Sequence, residues 1–187
     1  MIVVLLVVIV IVVLIPVMMY NSLINKKNQV ANVFASIDAL LKKRFDLVPN
    51  LVETVKTYMK HEKSLLTEVT EMRSKAVSGR LSDDDRIQLD NQLTKALGGI
   101  MVAVENYPDL KANQNFLQLQ ASLNEIEEQI SAARRAYNAT VTTYNNAIEM
   151  FPTNIMASMM NYKLKNLFEI PEEERKNVDV GKIFKSR

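Results

Sequence analysis

No cysteine occurs in the chain, which excludes a disulfide framework, a cysteine-ligated zinc site and an acylated lipoprotein terminus. Histidine is almost as scarce: His61 stands alone. His61-Glu62 begins like a zinc-protease helix, but the second histidine required four residues on is replaced by Leu65. A Ser-His-Asp arrangement would leave His61 on a helix face without a nucleophile elbow, and no glycine-rich phosphate loop is present. These absences argue against an enzyme and against any metal or cofactor. Four glycines and five prolines leave little room for flexible linkers or low-complexity tracts, and no block recurs at a fixed period. Charge of one sign is missing too. The 23 basic and 21 acidic residues are interspersed, for a net charge of +2, without the clustered positive surface that nucleic acid requires.

What the sequence does have is one long apolar run. Residues 2–15 contain no polar side chain, and the run continues past Pro16 through Val17, Met18 and Met19 to Tyr20. About 20 such residues cross a hydrocarbon core as a helix. The β-branched Val/Ile content would suit a strand in water, but in lipid a lone segment must satisfy its own backbone hydrogen bonds. Tyr20 falls where an aromatic interface anchor is expected. A cleaved signal peptide would need a basic leader, a shorter core and small residues at the cut. No Lys or Arg precedes this run and Asn21-Ser22-Leu23-Ile24 follows it, so residues 1–20 are expected to remain as an anchor in membrane lipid. Lys26 and Lys27, with Lys42-Lys43-Arg44 farther on, place the larger part in the cytoplasm and the short N-terminus outside by the positive-inside rule.

Beyond the anchor, apolar positions recur at helical spacing. The expectation is an all-α fold in which a single transmembrane helix runs straight into an antiparallel four-helix bundle over residues 21–151. Nothing between Asn21 and Arg44 breaks a helix, and Pro49 suits the first turn of a second helix over residues 49–78. Its seam of Val48, Leu51, Val55, Tyr58, Leu65, Val69, Met72 and Ala76 has one polar member, Glu62. Glu62 can pair with Arg134 or Arg135, or snorkel to water. Ser82 followed by Asp83-Asp84-Asp85 starts a third helix that reaches Pro108. This acidic run lacks the ligand pattern of a calcium loop. Gly98-Gly99 inside the third helix suggests close approach of a neighbour, or a kink. A fourth helix runs from about Asn113 to Phe151-Pro152.

Short connections make neighbouring helices antiparallel. That places the bends near residues 46–49 and 108–113 far from the membrane and the bend at residues 79–82 near it. The fourth helix is longer than the third and should overshoot it toward the bilayer. Its overshooting part would pack on the start of the first helix or on another subunit. Tyr137, Tyr144 and Asn145 are therefore candidates for self-association, together with Ile155, Met156 and Met159 of the Met-rich face that follows. That stretch, residues 152–170, reads either as an interfacial helix or as a lid on the bundle. Residues 171–187 are charged and are expected to be loosely ordered.

Several segments together resemble the LemA family. They are Ile37-Asp38 with Lys43-Arg44-Phe45-Asp46-Leu47-Val48-Pro49-Asn50-Leu51-Val52-Glu53-Thr54-Val55-Lys56, then Tyr107-Pro108-Asp109-Leu110-Lys111-Ala112-Asn113 with Phe116. Ala133-Arg134, Tyr137-Asn138, Tyr144-Asn145 and Phe151-Pro152 make a third match. Phe34 stands where the family often has tryptophan, and the chain after Phe168 fits the pattern poorly. The resemblance implies a bacterial membrane protein with a short external N-terminus and a helical-bundle domain, and it does not imply an enzyme. Some relatives of that family are tied to internal membrane compartments, and members are often encoded beside membrane metalloproteases.

On this layout the first two signature segments meet at the distal end of the bundle. Asp46 and Asn113 would act there as N-caps and Pro49 and Pro108 as breakers. Lys43, Arg44, Asp46, Glu105, Asp109 and Lys111 would form a mixed-charge tip able to dock a protein partner. Two functions follow: a homo-oligomer that scaffolds or shapes the membrane, or an adaptor that presents this tip.

Overall fold

The computed structural model describes residues 1–79 and 81–168. Helix α1 runs over Ile2–Val55, 54 residues without a break, or about 80 Å at 1.5 Å per residue. Helix α2 covers Lys63–Val77, α3 Asp83–Val104, the short α4 Pro108–Lys111, α5 Gln114–Glu149 and α6 Thr153–Met159. No strand occurs among the described residues. The apolar start of α1 is exposed at residues 2–7 and 9–18 and the helix continues unbroken into the bundle, so a single-pass anchor and the first bundle helix are one rod.

The break expected at Pro49 does not occur. A proline inside a helix loses one hydrogen bond and crowds the preceding turn, at about 3 kcal/mol. Around it, however, Phe45, Val48, Leu51 and Val55 are all buried, so the apolar stripe keeps its phase across the proline. At roughly 1.5–3 kcal/mol per buried side chain, that packing outweighs the loss, and Pro49 itself faces solvent. Asp46 is accordingly an exposed mid-helix residue rather than a cap.

The chain reverses instead at residues 56–62, where neither glycine nor proline marks a turn. Tertiary contacts decide it. Met59 is buried, Tyr107 donates its hydroxyl hydrogen to Glu62 at 2.7 Å, and Asn113 donates its amide to the Tyr58 hydroxyl at 3.3 Å. Helix α2 is therefore shorter than the expected second helix. The turn into α3 passes through Gly79, whose φ of 73° falls in the region that favours glycine. Ser82 then opens α3 with a capping box: its hydroxyl accepts from the Asp85 N–H at 3.2 Å, and the Asp85 carboxylate accepts from the Ser82 N–H.

This shortening moves the α2–α3 turn away from the bilayer. Arg86, in the first turns of α3, is paired with Asp38 of α1. Asp38 is eighteen residues along the helix from Tyr20, or about 27 Å. Only the distal half is a four-helix bundle. Nearer the membrane, α1 and α5 form a two-helix stalk whose seam holds Leu23, Val30 and Ile37 against Tyr137, Val141, Tyr144 and Ile148. The 36 residues of α5 do overshoot the 22 of α3. The overshooting turns pack on α1, on α6 and on residues 162–168, which run back along the stalk.

Close approach of a neighbour, one of the two reasons expected for the glycine pair in α3, does not require glycine at either position. A Cβ at Gly98 would meet nothing within 4 Å, and one at Gly99 would make ordinary contact with Leu65 at 3.5 Å.

Candidate functional site

The stalk and bundle are locked together by charges buried between three helices. Arg44 of α1 donates to Asp90 Oδ1 and to Thr94 Oγ1, each at 2.9 Å, and its other terminal nitrogen lies 2.7 Å from Glu127 of α5. Arg134 of α5 is paired with the second oxygen of Asp90 and donates to Asn91 at 3.2 Å. Asp90 is 0% exposed, Arg44 4% and Arg134 7%. The set is neutral, two cations against two carboxylates. A buried ion pair adds little net stability, but removing one member leaves a charge in a low-dielectric interior. This arrangement fixes how α1, α3 and α5 register. Asp90 was not a candidate in the sequence, although a readable signal existed: Arg44, Asp90 and Arg134 all fall on apolar stripes.

The expected pairing of Glu62 with Arg134 or Arg135 is absent. Glu62 lies at the distal tip because α1 continues to Val55, whereas Arg134 is well back from the tip, paired with Asp90 of α3, and Arg135 donates to Ser131 at 2.9 Å. The Glu62 carboxylate receives Tyr107 instead. That hydrogen bond, with smaller contributions from burial and from the Glu62 charge, holds the Tyr107 phenol above its ordinary pKa of 10.0.

The six residues proposed for the distal tip also separate. Glu105, Asp109 and Lys111 are exposed there, with Lys111 paired to Glu105 at 2.5 Å. Lys43, Arg44 and Asp46 sit nine or more residues back from the end of α1, and Arg44 is consumed by the buried charges. Asn113 does cap α5, its side-chain oxygen accepting from the N–H groups of Asn115 and Phe116 at 2.9 and 3.1 Å.

Near the membrane, a repeated Tyr-Asn pair grips the returning segment. Asn145 accepts from the Lys165 N–H at 3.0 Å and donates to the Lys165 carbonyl at 2.9 Å. One heptad earlier, Asn138 does the same to Phe168 at 2.8 and 3.0 Å. Seven helical residues advance about 10.5 Å, and three extended residues about 10 Å, so the two ladders match. Tyr144 donates to the Lys163 carbonyl at 3.1 Å, while Tyr137 stands edge-on to both Phe34 and Phe168. Burial, and secondarily Tyr162, raises the Tyr144 pKa above 10.0.

Of the residues expected to self-associate, then, Tyr137, Tyr144 and Asn145 are engaged within the chain. Met156 is half-buried against the core, and Ile155 and Met159 are exposed. The tail over residues 171–187 lies outside the described residues. Among those described, no three His, Cys, Asp or Glu side chains converge to hold a metal ion. A cavity of about 280 Å³ lies between α1, α2 and α3, walled by Leu41, Phe45, Ala76 and Leu89 beside the Asp38–Arg86 pair.

The model of the LemA family matches residues 33–181. Protein LemA of Metamycoplasma hominis is 28% identical over 87% of this chain and 74% of its own length. Magnetosome protein MamQ 2 of Paramagnetospirillum magneticum is 25% identical, and magnetosome protein MamQ of Magnetospirillum gryphiswaldense 23%, each over 81% of this chain. The chain spans 65% of the length of either magnetosome protein, just under two thirds.

Proposed function

The chain belongs to the LemA family, and from that premise we propose that it is a non-enzymatic bacterial membrane protein that self-associates and thereby scaffolds or shapes its membrane. The observation that carries this reading is the unbroken α1. Because 54 residues form one helix, any lateral contact between bundles is transmitted to the anchors, and lipid is arrayed with the protein. The likeness to proteins named for the magnetosome favours a role in organising a membrane. Lys26 and Lys27, just past the anchor, favour a cytoplasmic bundle in the inner membrane. Native mass spectrometry of the full chain extracted with its lipid should give a defined homo-oligomer. A monomer at every concentration would sink the reading.

A second reading, an adaptor, is favoured by the distal tip. Its turns are held by the Tyr107–Glu62 and Asn113–Tyr58 hydrogen bonds, while Glu105, Asp109 and Lys111 stay exposed. Charge reversal at Asp109 and Lys111 should then abolish co-purification of a partner, such as a membrane protease, and leave oligomer size unchanged.

A further inference from the structure

We propose that the membrane-proximal end of the bundle seats directly on the lipid surface through Met150, Phe151, Ile155 and Met159, a second membrane contact beside the transmembrane helix. The inference rests on the anchor reading and is independent of self-association. These side chains are 63%, 80%, 57% and 78% exposed and fall within ten consecutive residues. An isolated exposed apolar residue is ordinary, but a contiguous group at one end of a molecule marks a partner. The segment is two-faced: Ala157 is buried, and Met156 and Met160 pack on the core, leaving Ile155 and Met159 outward.

Position identifies the partner. In the α1–α5 pair Phe34 faces Tyr137 and Arg44 is paired with Glu127. Carried along both helices, that register brings Phe151 level with Tyr20, where the apolar span ends. Lys27 stands over the Tyr162 ring at 5.3 Å, which confirms that the chain after α6 lies beside the first turns past the anchor. Since α1 is a single helix, the height of this end above the bilayer is set by the span itself. The surrounding charge suits lipid with anionic headgroups. Over residues 16–37 and 139–168 Glu149 is the sole acid, against Lys26, Lys27, Lys163 and Lys165. Apolar side chains set among lysines at that level match the boundary between headgroups and acyl chains.

The chain contains no tryptophan, so Phe151→Trp and Met159→Trp each install a unique reporter. Val102→Trp, on the exposed face of α3 toward the distal end, is the control. Each full-length variant is reconstituted in vesicles containing phosphatidylglycerol, with acyl chains brominated near the headgroup or near the bilayer centre. Circular dichroism checks folding, and either proximal variant suffices if the other does not fold. Shallow bromine should remove roughly half of the proximal emission, deep bromine much less, and neither should affect the control, as for side chains about 5–10 Å into the interface. Absence of quenching at the proximal reporters overturns the proposal. Blue-shifted emission that bromine does not quench, and that follows the protein-to-lipid ratio, overturns it in favour of a second copy covering the patch. A monomeric chain quenched by shallow bromine would refute the scaffold while leaving this contact in place.

Discussion

Arg44 donates to Asp90 at 2.9 Å across the interface of α1 and α3, with both side chains almost wholly withdrawn from water. Arg134 takes the other oxygen of the same carboxylate, so one aspartate holds two helices at a common height. Replacing Asp90 by Leu would strand the Arg134 guanidinium in the interior and leave Arg44 with Glu127 as its only carboxylate, at a cost of about 3–5 kcal/mol. The thermal midpoint of Asp90→Leu should fall steeply. The triple variant Arg44→Met, Asp90→Leu, Arg134→Met should recover most of the loss, because the one charge left without its partner, that of Glu127, is on a side chain 35% exposed to water. Equal instability of the single and triple variants would contradict this account.

Gly98 sits mid-helix, exposed, with open space where a Cβ would go. Gly98→Ala should therefore stabilise the protein by about 0.5–1 kcal/mol, through the lower entropy of the unfolded chain and better helix propensity. Denaturant titration would measure it. A destabilised variant would mean that α3 meets a partner at this point.

The amide ladder predicts local rather than global effects. Asn145→Ala should release the Lys165 N–H and Asn138→Ala the Phe168 N–H. With about 1–1.5 kcal/mol lost per site, hydrogen exchange at each amide should accelerate on the order of tenfold, while α2 and α3 are unaffected. Unchanged exchange at both amides would show that the side-chain clamps do not hold the segment.

Tyr144 adds an alkaline limit. Burial raises its pKa above 10.0, so the neutral phenol is favoured in the folded state. Its contribution is complete below the unfolded value of about 10 and is lost as pH rises through the higher folded value. Wild type should exceed Tyr144→Phe by about 1 kcal/mol near neutrality, from the Lys163 hydrogen bond, and that advantage should shrink above about pH 10. A constant difference across that range would argue against a buried, neutral Tyr144.

Much of this architecture is legible before folding. Anchor, all-α class, the Ser82 start of α3, the Asn113 cap and the long final bundle helix each depend on short-range chemistry. An apolar run long enough for a bilayer has one stable backbone conformation there, and a capping hydrogen bond is made to the cap's own helix. Pro49 and residues 56–62 show where local reading fails. A proline that would break an isolated helix is tolerated when the stripe from Phe45 to Val55 stays in phase, and the reversal at residues 56–62 carries no breaker at all.

Every contact that depends on depth followed from that one displaced turn. Moving the reversal outward carried Glu62 to the tip and away from Arg134, lifted the α2–α3 turn off the membrane and left Arg44 to find Asp90. The sequence by itself determined that a single helix enters the bilayer and that helices pack behind it, because periodicity and length are properties of one segment. Which helix ends where, and which charges meet, only the tertiary structure decided, because those depend on burial summed over residues far apart in the chain.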